Sequence, residues 1–144
     1  MIITKTPYRI SLFGGGTDLS AWLDNGNEGL VLSTSINRYC YITLRSLPKI
    51  FDYKYRLRYY KNEETNLIKN IKHNSIRACL NYLKFHNESL ELVHHGELPS
   101  QSGLGSSSTF TVGLINGLTE IKKKKNFKKK TSTISYLYRA KNIK

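Results

Sequence analysis

Leu98-Pro-Ser-Gln-Ser-Gly-Leu-Gly-Ser-Ser-Ser108 is the stretch on which the reading of this chain turns. Gly103 and Gly105 carry no Cβ, so the backbone can take left-handed dihedrals there and approach a ligand closely. Three serines follow where apolar residues begin to recur at helical spacing. Thr111, Leu114, Ile115 and Leu118 form one face of a helix expected over about residues 106–121. The first turn of a helix presents N–H groups without intrahelical partners and the positive end of the dipole, which together suit a phosphate. The serine hydroxyls add neutral donors, and one can serve as an oxygen ligand to Mg²⁺. The same letters also suit a loop that only caps a helix, and the GxxxxGK[ST] pattern of a P-loop is absent. Spacing alone leaves both readings open.

Upstream, Pro7-Tyr-Arg-Ile-Ser-Leu-Phe-Gly-Gly-Gly-Thr-Asp18 sets three glycines after an expected strand over residues 2–13. Gly14, Gly15 and Gly16 allow backbone amides to reach a polar ligand. Asp18 offers a carboxylate suited to sugar hydroxyls, and Arg9 a forked, permanent cation suited to phosphate. The plainer alternative is a glycine turn with Asp18 capping a short helix through Trp22 and Arg9 as a surface charge.

The two motifs occur in the order found in the GHMP superfamily of small-molecule kinases. The run Pro99-x-x-Ser-Gly-Leu-Gly-Ser-Ser-Ser108, continued by Thr-Phe-Thr-Val-Gly-Leu, resembles that family's ATP motif, closest to the branch acting on D-glycero-D-manno-heptose 7-phosphate. The resemblance implies that Pro99, Ser102, Gly103, Leu104, Gly105, Ser106, Ser107 and Ser108 bind ATP, with Ser107 as the Mg²⁺ ligand. It implies a substrate site of Arg9, Gly14, Gly15, Gly16, Thr17 and Asp18, with Arg9 also meeting charge that develops in phosphoryl transfer. Gln101 departs from the small residue usual there. Gly15-Gly16 replaces the acidic residue and histidine of the galactokinase branch, pointing toward a heptose phosphate. The segment from Tyr53 through Lys61 to His73 also resembles the heptose branch, in a region that lies near the adenine in the family.

The remaining elements read as strands over 29–35 and 38–47 with Asn37 near a turn, a half-exposed edge strand over 53–60, a helix over 74–85 capped by Asn74, and a strand over 89–95. Strands mixed with segregated helices indicate an α+β domain. The resemblance implies the family's N-terminal domain, a ribosomal-protein-like βαβ fold, truncated. His94-His95 reads as a polar strand end, since neighbours in a strand face opposite ways. His73 suits either a helix cap or a nucleotide contact. Cys40 and Cys79, without a CxxC partner, read as reduced thiols of a cytoplasmic protein.

The net charge of +13 suggests a nucleic-acid partner until its distribution is considered. Residues 1–120 hold 13 Lys plus Arg against 10 Asp plus Glu, while residues 121–144 hold 10 basic residues and no acidic ones. The excess therefore belongs to a tail. A domain over 1–121 and a basic tail over 122–144 are expected. The tail is built from Lys, Asn, Ile and Tyr, all AT-rich in codon. If Leu137–Lys141 is encoded TTA TAT AGA GCA AAA, a frame one base later reads Tyr-Ile-Glu-Gln, similar to the end of the family's next helix. The tail is thus read as out of frame or disordered. The alternative is an arm that binds nucleic acid or an acidic surface, on a non-catalytic domain. The family's Mg²⁺-binding glutamate and catalytic aspartate are not found, so the chain alone is expected to have little or no kinase activity; a truncated gene product and a partner chain carrying the C-terminal half both remain open. No bilayer-length apolar run or export signal is present.

Overall fold

The computed structural model describes residues 1–17, 22, 24–26, 28–99 and 102–141, with side chains as far as residue 124. Five strands form one mixed sheet in the order β1-β2-β5-β3-β4. They are β1 (Ile2–Phe13), β2 (Leu32–Ser46), β3 (Tyr55–Arg58), β4 (Asn62–Thr65) and β5 (Leu90–Gly96). β3 runs parallel to β5, and the other pairings are antiparallel. Among the described residues two longer α-helices pack with the sheet, α1 (Asn74–Tyr82) and α2 (Ser106–Lys141). The α+β expectation is met.

Period-2 alternation on β2 turns Cys40, Ile42 and Leu44 toward the helices. There they join Leu57, Leu92, Leu80, Leu114 and Leu118 in a single core. α2 lies unusually close to the sheet, because Gly113 and Gly117 face it. A Cβ on Gly113 would stand 2.6 Å from Thr6 Oγ1, and one on Gly117 2.6 Å from Leu44 Cδ1. The opposite face of the sheet carries a charge ladder. Arg45 on β2 and Arg56 on β3 both pair with Glu91 on β5, and Arg56 also reaches Glu64 on the edge strand at 3.2 Å.

Several expectations need correction. Residues 29–47 do not form two strands, since β2 runs unbroken through Asn37. The register jumps there from Pro7↔Tyr39 to Arg9↔Ser35. The turn signal at Asn37 is therefore spent on a bulge opposite Tyr8, between the Pro7 and Arg9 pairs. β3 is an interior strand, and the edge is β4, a strand of four polar residues that periodicity does not reveal. The cap of α1 is His73 rather than Asn74: its Nδ1 accepts from the Ile76 N–H at 3.5 Å. α1 ends at Tyr82, because Lys84 takes a left-handed φ of 53° and turns the chain back. Phe85 is then buried outside the helix, with its N–H bonded to the Leu80 carbonyl. α2 continues past the expected end at Ile121 to Lys141, through a sequence without proline or glycine and rich in lysine, a good helix former.

Cys40 and Cys79 are both buried and free. Burial pushes the Cys40 thiol up to about 11. The expected short helix after Gly16, with Asp18 as its cap, falls largely outside the described residues, as do Ser100 and Gln101.

Candidate functional site

The glycine loop behaves as its letters predict. Gly103 and Gly105 both adopt left-handed dihedrals, with φ of 74° and 71°. They bring the chain into α2 at Ser106, and the Thr109 N–H closes the first turn on the Gly105 carbonyl at 2.9 Å. Space around Gly103 is open, whereas a Cβ on Gly105 would stand 3.2 Å from Arg9 Cγ and 3.5 Å from Arg9 Nε. The two sequence motifs thus meet. The Arg9 side chain lies against the loop, and its Nη1 donates to Ser11 Oγ at 2.5 Å. A second tie comes from Thr109, whose hydroxyl reaches the Pro7 carbonyl at 3.4 Å.

At the other end of β1, Gly14 to Thr17 form a tight turn in which the Thr17 N–H and hydroxyl both donate to the Gly14 carbonyl, at 3.1 and 2.9 Å. Gly14 has φ of 69°, and a Cβ there would stand 1.8 Å from the Leu30 carbonyl oxygen, so no other residue fits. Gly16 has φ of 98° and nothing near its missing Cβ, leaving its backbone open. Asp18 lies outside the described residues.

A cavity of about 550 Å³ opens beside the start of α2, with Ser106, Ser107 and Pro99 on one side. Ser106 Oγ is buried, with no hydrogen-bond partner among the described residues. An unmet buried hydroxyl at a helix N-terminus fits an anionic ligand. Ser107 also lines the cavity, and its carbonyl accepts from the Thr111 hydroxyl at 2.8 Å. No group of three or more His, Cys, Asp or Glu suited to a metal occurs among the described residues. Ser102, Gly103, Leu104, Gly105 and Ser108 do not line the cavity, nor does the turn at Gly14–Thr17.

The far wall is aromatic and was only partly legible. Tyr59 and Tyr60 come from the end of β3, Phe110 from α2, and His73 and His94 from the start of α1 and from β5. The rings interlock. His73 meets Tyr59 edge-on with centroids 4.9 Å apart and packs on Phe110 at 5.1 Å, and Phe110 meets His94 edge-on at 5.0 Å. His73 is therefore both cap and cavity wall. His94 is not merely a polar strand end, although the exposed His95 fits that description. Burial holds both His73 and His94 below the ordinary imidazole value, with Glu63 partly opposing it at His73 and the neighbouring imidazoles adding to it at His94. Phe110 carried no signal of its own, being one apolar residue in a helical pattern.

Together these features describe an α+β domain whose cavity pairs a glycine-bounded helix start with an aromatic wall. The chain belongs to the GHMP kinases: the family's N-terminal domain profile matches residues 66–142. It is 35% identical over 127 residues to a D-glycero-alpha-D-manno-heptose 7-phosphate kinase of Campylobacter jejuni, an alignment covering 83% of this chain and 37% of that protein. A solved Campylobacter jejuni structure, of a protein put forward as a sugar kinase, superposes with a TM-score of 0.64 at 30% identity, over 82% of this chain and 40% of the other. The fold is shared with a D-glycero-D-manno-heptose 1-phosphate kinase of Bacteroides thetaiotaomicron at a TM-score of 0.65 and 22% identity, over 82% of this chain and 41% of the other. The chain thus spans about 40% of the length of these relatives, as expected of an N-terminal portion.

Proposed function

We propose that this domain holds ATP for phosphoryl transfer to a sugar phosphate of the heptose 7-phosphate type. The observation that carries the reading is the contact of Arg9 with Gly105. Each motif alone fits a structural turn, and their meeting fits a site where ATP and a phosphorylated sugar come together. The backbone of Gly103 to Ser108 cradles the phosphates, with Ser106 Oγ finding there the partner it lacks among the described residues. Pro99 and Ser102 belong to the same ATP loop, and the base lies against the wall formed by Tyr59, Tyr60, His73 and Phe110. Mg²⁺, when bound with ATP, neutralises phosphate charge, and Ser107 supplies its protein ligand. Arg9, Gly14 to Gly16, Thr17 and Asp18 hold the sugar phosphate. Arg9, nearest the loop, also meets charge developing on the transferred group. Catalysis is by positioning and charge stabilisation, without a covalent intermediate.

No carboxylate lines the cavity among the described residues to orient the attacking hydroxyl. Residues 1–144 by themselves are read as having little or no activity, with a separate chain carrying the C-terminal half as a source of the remaining groups. No helix among the described residues is long and apolar enough to cross a membrane. A cytoplasmic location, where ATP is abundant, suits the reading. We place the domain at 1–121 and the basic tail at 122–144, and sequencing the gene through and beyond the lysine codons tests whether the tail is out of frame.

Calorimetric titration of the 144-residue chain with ATP and Mg²⁺ tests the ATP site, with Gly105→Ala as the control variant. The expected result is saturable binding that the variant weakens, and no binding by the parent chain overturns it. Measurable turnover of heptose 7-phosphate by residues 1–144 would contradict the claim of inactivity.

A further inference from the structure

Three hydrogen-bond donors from two separate segments converge on a carboxylate that the phosphate loop does not use. Glu63, half-buried on β4, accepts from the Tyr59 hydroxyl, from the Lys72 N–H at 2.8 Å and from the His73 backbone N–H. Tyr59 stands where β3 turns toward β4, with its N–H on the Lys61 carbonyl. Lys72 and His73 form the entry to α1. One side chain therefore ties the β3–β4 turn to the start of a helix, and both tied segments supply walls of the cavity. We propose that Glu63 is a positioning residue for the nucleotide base: without lining the cavity, it sets the spacing between the Tyr59 and His73 rings. This rests on the reading of the aromatic wall as the base site.

The chemistry of the clamp is consistent with that role. Burial pushes the Glu63 carboxyl up, but the bonds from Lys72, Tyr59 and His73 outweigh it and hold the group below the ordinary carboxylate value. Burial and the bond to Glu63 push the Tyr59 phenol up. The acceptor thus stays ionised and the donor protonated across neutral pH, so the clamp is closed under working conditions. Untethered, the Tyr59 ring is free to sample other rotamers, and binding must then meet the cost of ordering it. The groups facing the His73 ring are Glu63 from β4, Tyr59 from β3 and His94 from β5. Glu63 is the one anion among them, and it draws His73 back up against burial.

The test uses the whole 144-residue chain and its Glu63→Gln variant, with mant-ATP as the base-bearing probe and tripolyphosphate as the probe of the loop alone. Glu63→Gln is expected to weaken mant-ATP about tenfold, as loss of charge-assisted bonds predicts, and to leave tripolyphosphate within about twofold. Tyr59→Phe keeps the ring but removes one donor, and about threefold weakening of mant-ATP is expected. A carbon-detected NMR titration of the His73 imidazole supplies a readout that loosening cannot imitate. Loss of the Glu63 charge moves its midpoint further down, whereas general loosening exposes the ring and moves it up. Equal mant-ATP affinity in parent and variant, or an upward shift with both probes weakened alike, overturns the proposal. If the parent chain binds mant-ATP no better than tripolyphosphate, the base-site reading itself fails, and the role of Glu63 with it.

Discussion

Gly105 shows how much one missing methyl group can decide. Its φ of 71° is strained for any L-residue, and its open side is filled by the stem of Arg9. Gly105→Ala therefore meets two obstacles, an unfavourable backbone and a cation that must move. The expected outcome is a stability loss of about 1 kcal/mol, read from chemical denaturation, together with at least tenfold weaker ATP binding. Gly103 has the same left-handed backbone but open space around it. Gly103→Ala should cost similar stability, yet weaken ATP less, because it leaves Arg9 in place. Comparing the two variants separates backbone strain from displacement of the guanidinium. Both glycines were legible from the sequence because a helix start and a ligand-hugging loop use the same letters. Arg9 was legible only as a type of chemistry. Nothing in local spacing says that residue 9 touches residue 105, a contact made by strand pairing and helix docking.

Among the elements, α2 and its seat on the sheet matter most for the site. Gly113 and Gly117 let the helix approach β1 and β2 closely, and that approach presents Gly105, just before the helix, beside Arg9. Gly117→Val would place extra carbons where Leu44 Cδ1 already lies, and Leu44 is fully buried with little room to yield. A destabilisation of roughly 2 kcal/mol is expected, since over-packing outweighs the better helix propensity of valine. A lower melting temperature together with weaker ATP binding would show that the helix had lifted as a unit. The helix itself was readable from period 3.6, as β1 was from its β-branched alternation. β4 was not, because Asn62-Glu-Glu-Thr65 holds its place by cross-strand partners instead of apolar burial. Glu63 finds Tyr59 and Glu64 finds Arg56, and neither pairing has a local pattern. The unbroken β2 was misread because an asparagine marks turns and bulges alike.

For the molecule as a whole, two charge effects can be separated by experiment. The first is titration. His73 and His94 are held below their ordinary value in the folded state, so between that ordinary value and their folded values the unfolded chain binds more protons. Stability is therefore expected to fall as pH drops below about 6.5, and thermal melts from pH 7.5 to 5 should show it. His94→Gln should make the slope shallower. A second loss is expected below about pH 4.3, as Glu63 takes up a proton more readily unfolded than folded. The other effect is the basic tail. The full chain should bind heparin with a steep dependence on salt, and a chain ending at 121 should lose most of that binding. If polyanion binding is incidental to the ATP site, ATP affinity should change by no more than about twofold in the shortened chain. A larger change would tie the tail to the nucleotide site.

The bond from Thr109 to the Pro7 carbonyl joins residues 102 positions apart, and the Arg9 contact with Gly105 spans nearly as far. Such long loops close late, because their entropic cost must be met before the contact gives anything back. The β1–β2 ladder and the β3–β4 turn can form from nearer neighbours, but the meeting of the two glycine motifs exists only once α2 has docked. Ligand binding therefore timestamps the end of folding. In stopped-flow refolding, recovery of nucleotide binding should lag recovery of sheet structure. On the ribosome the Arg9–Gly16 motif emerges first and waits, without its partner, for the loop that meets it.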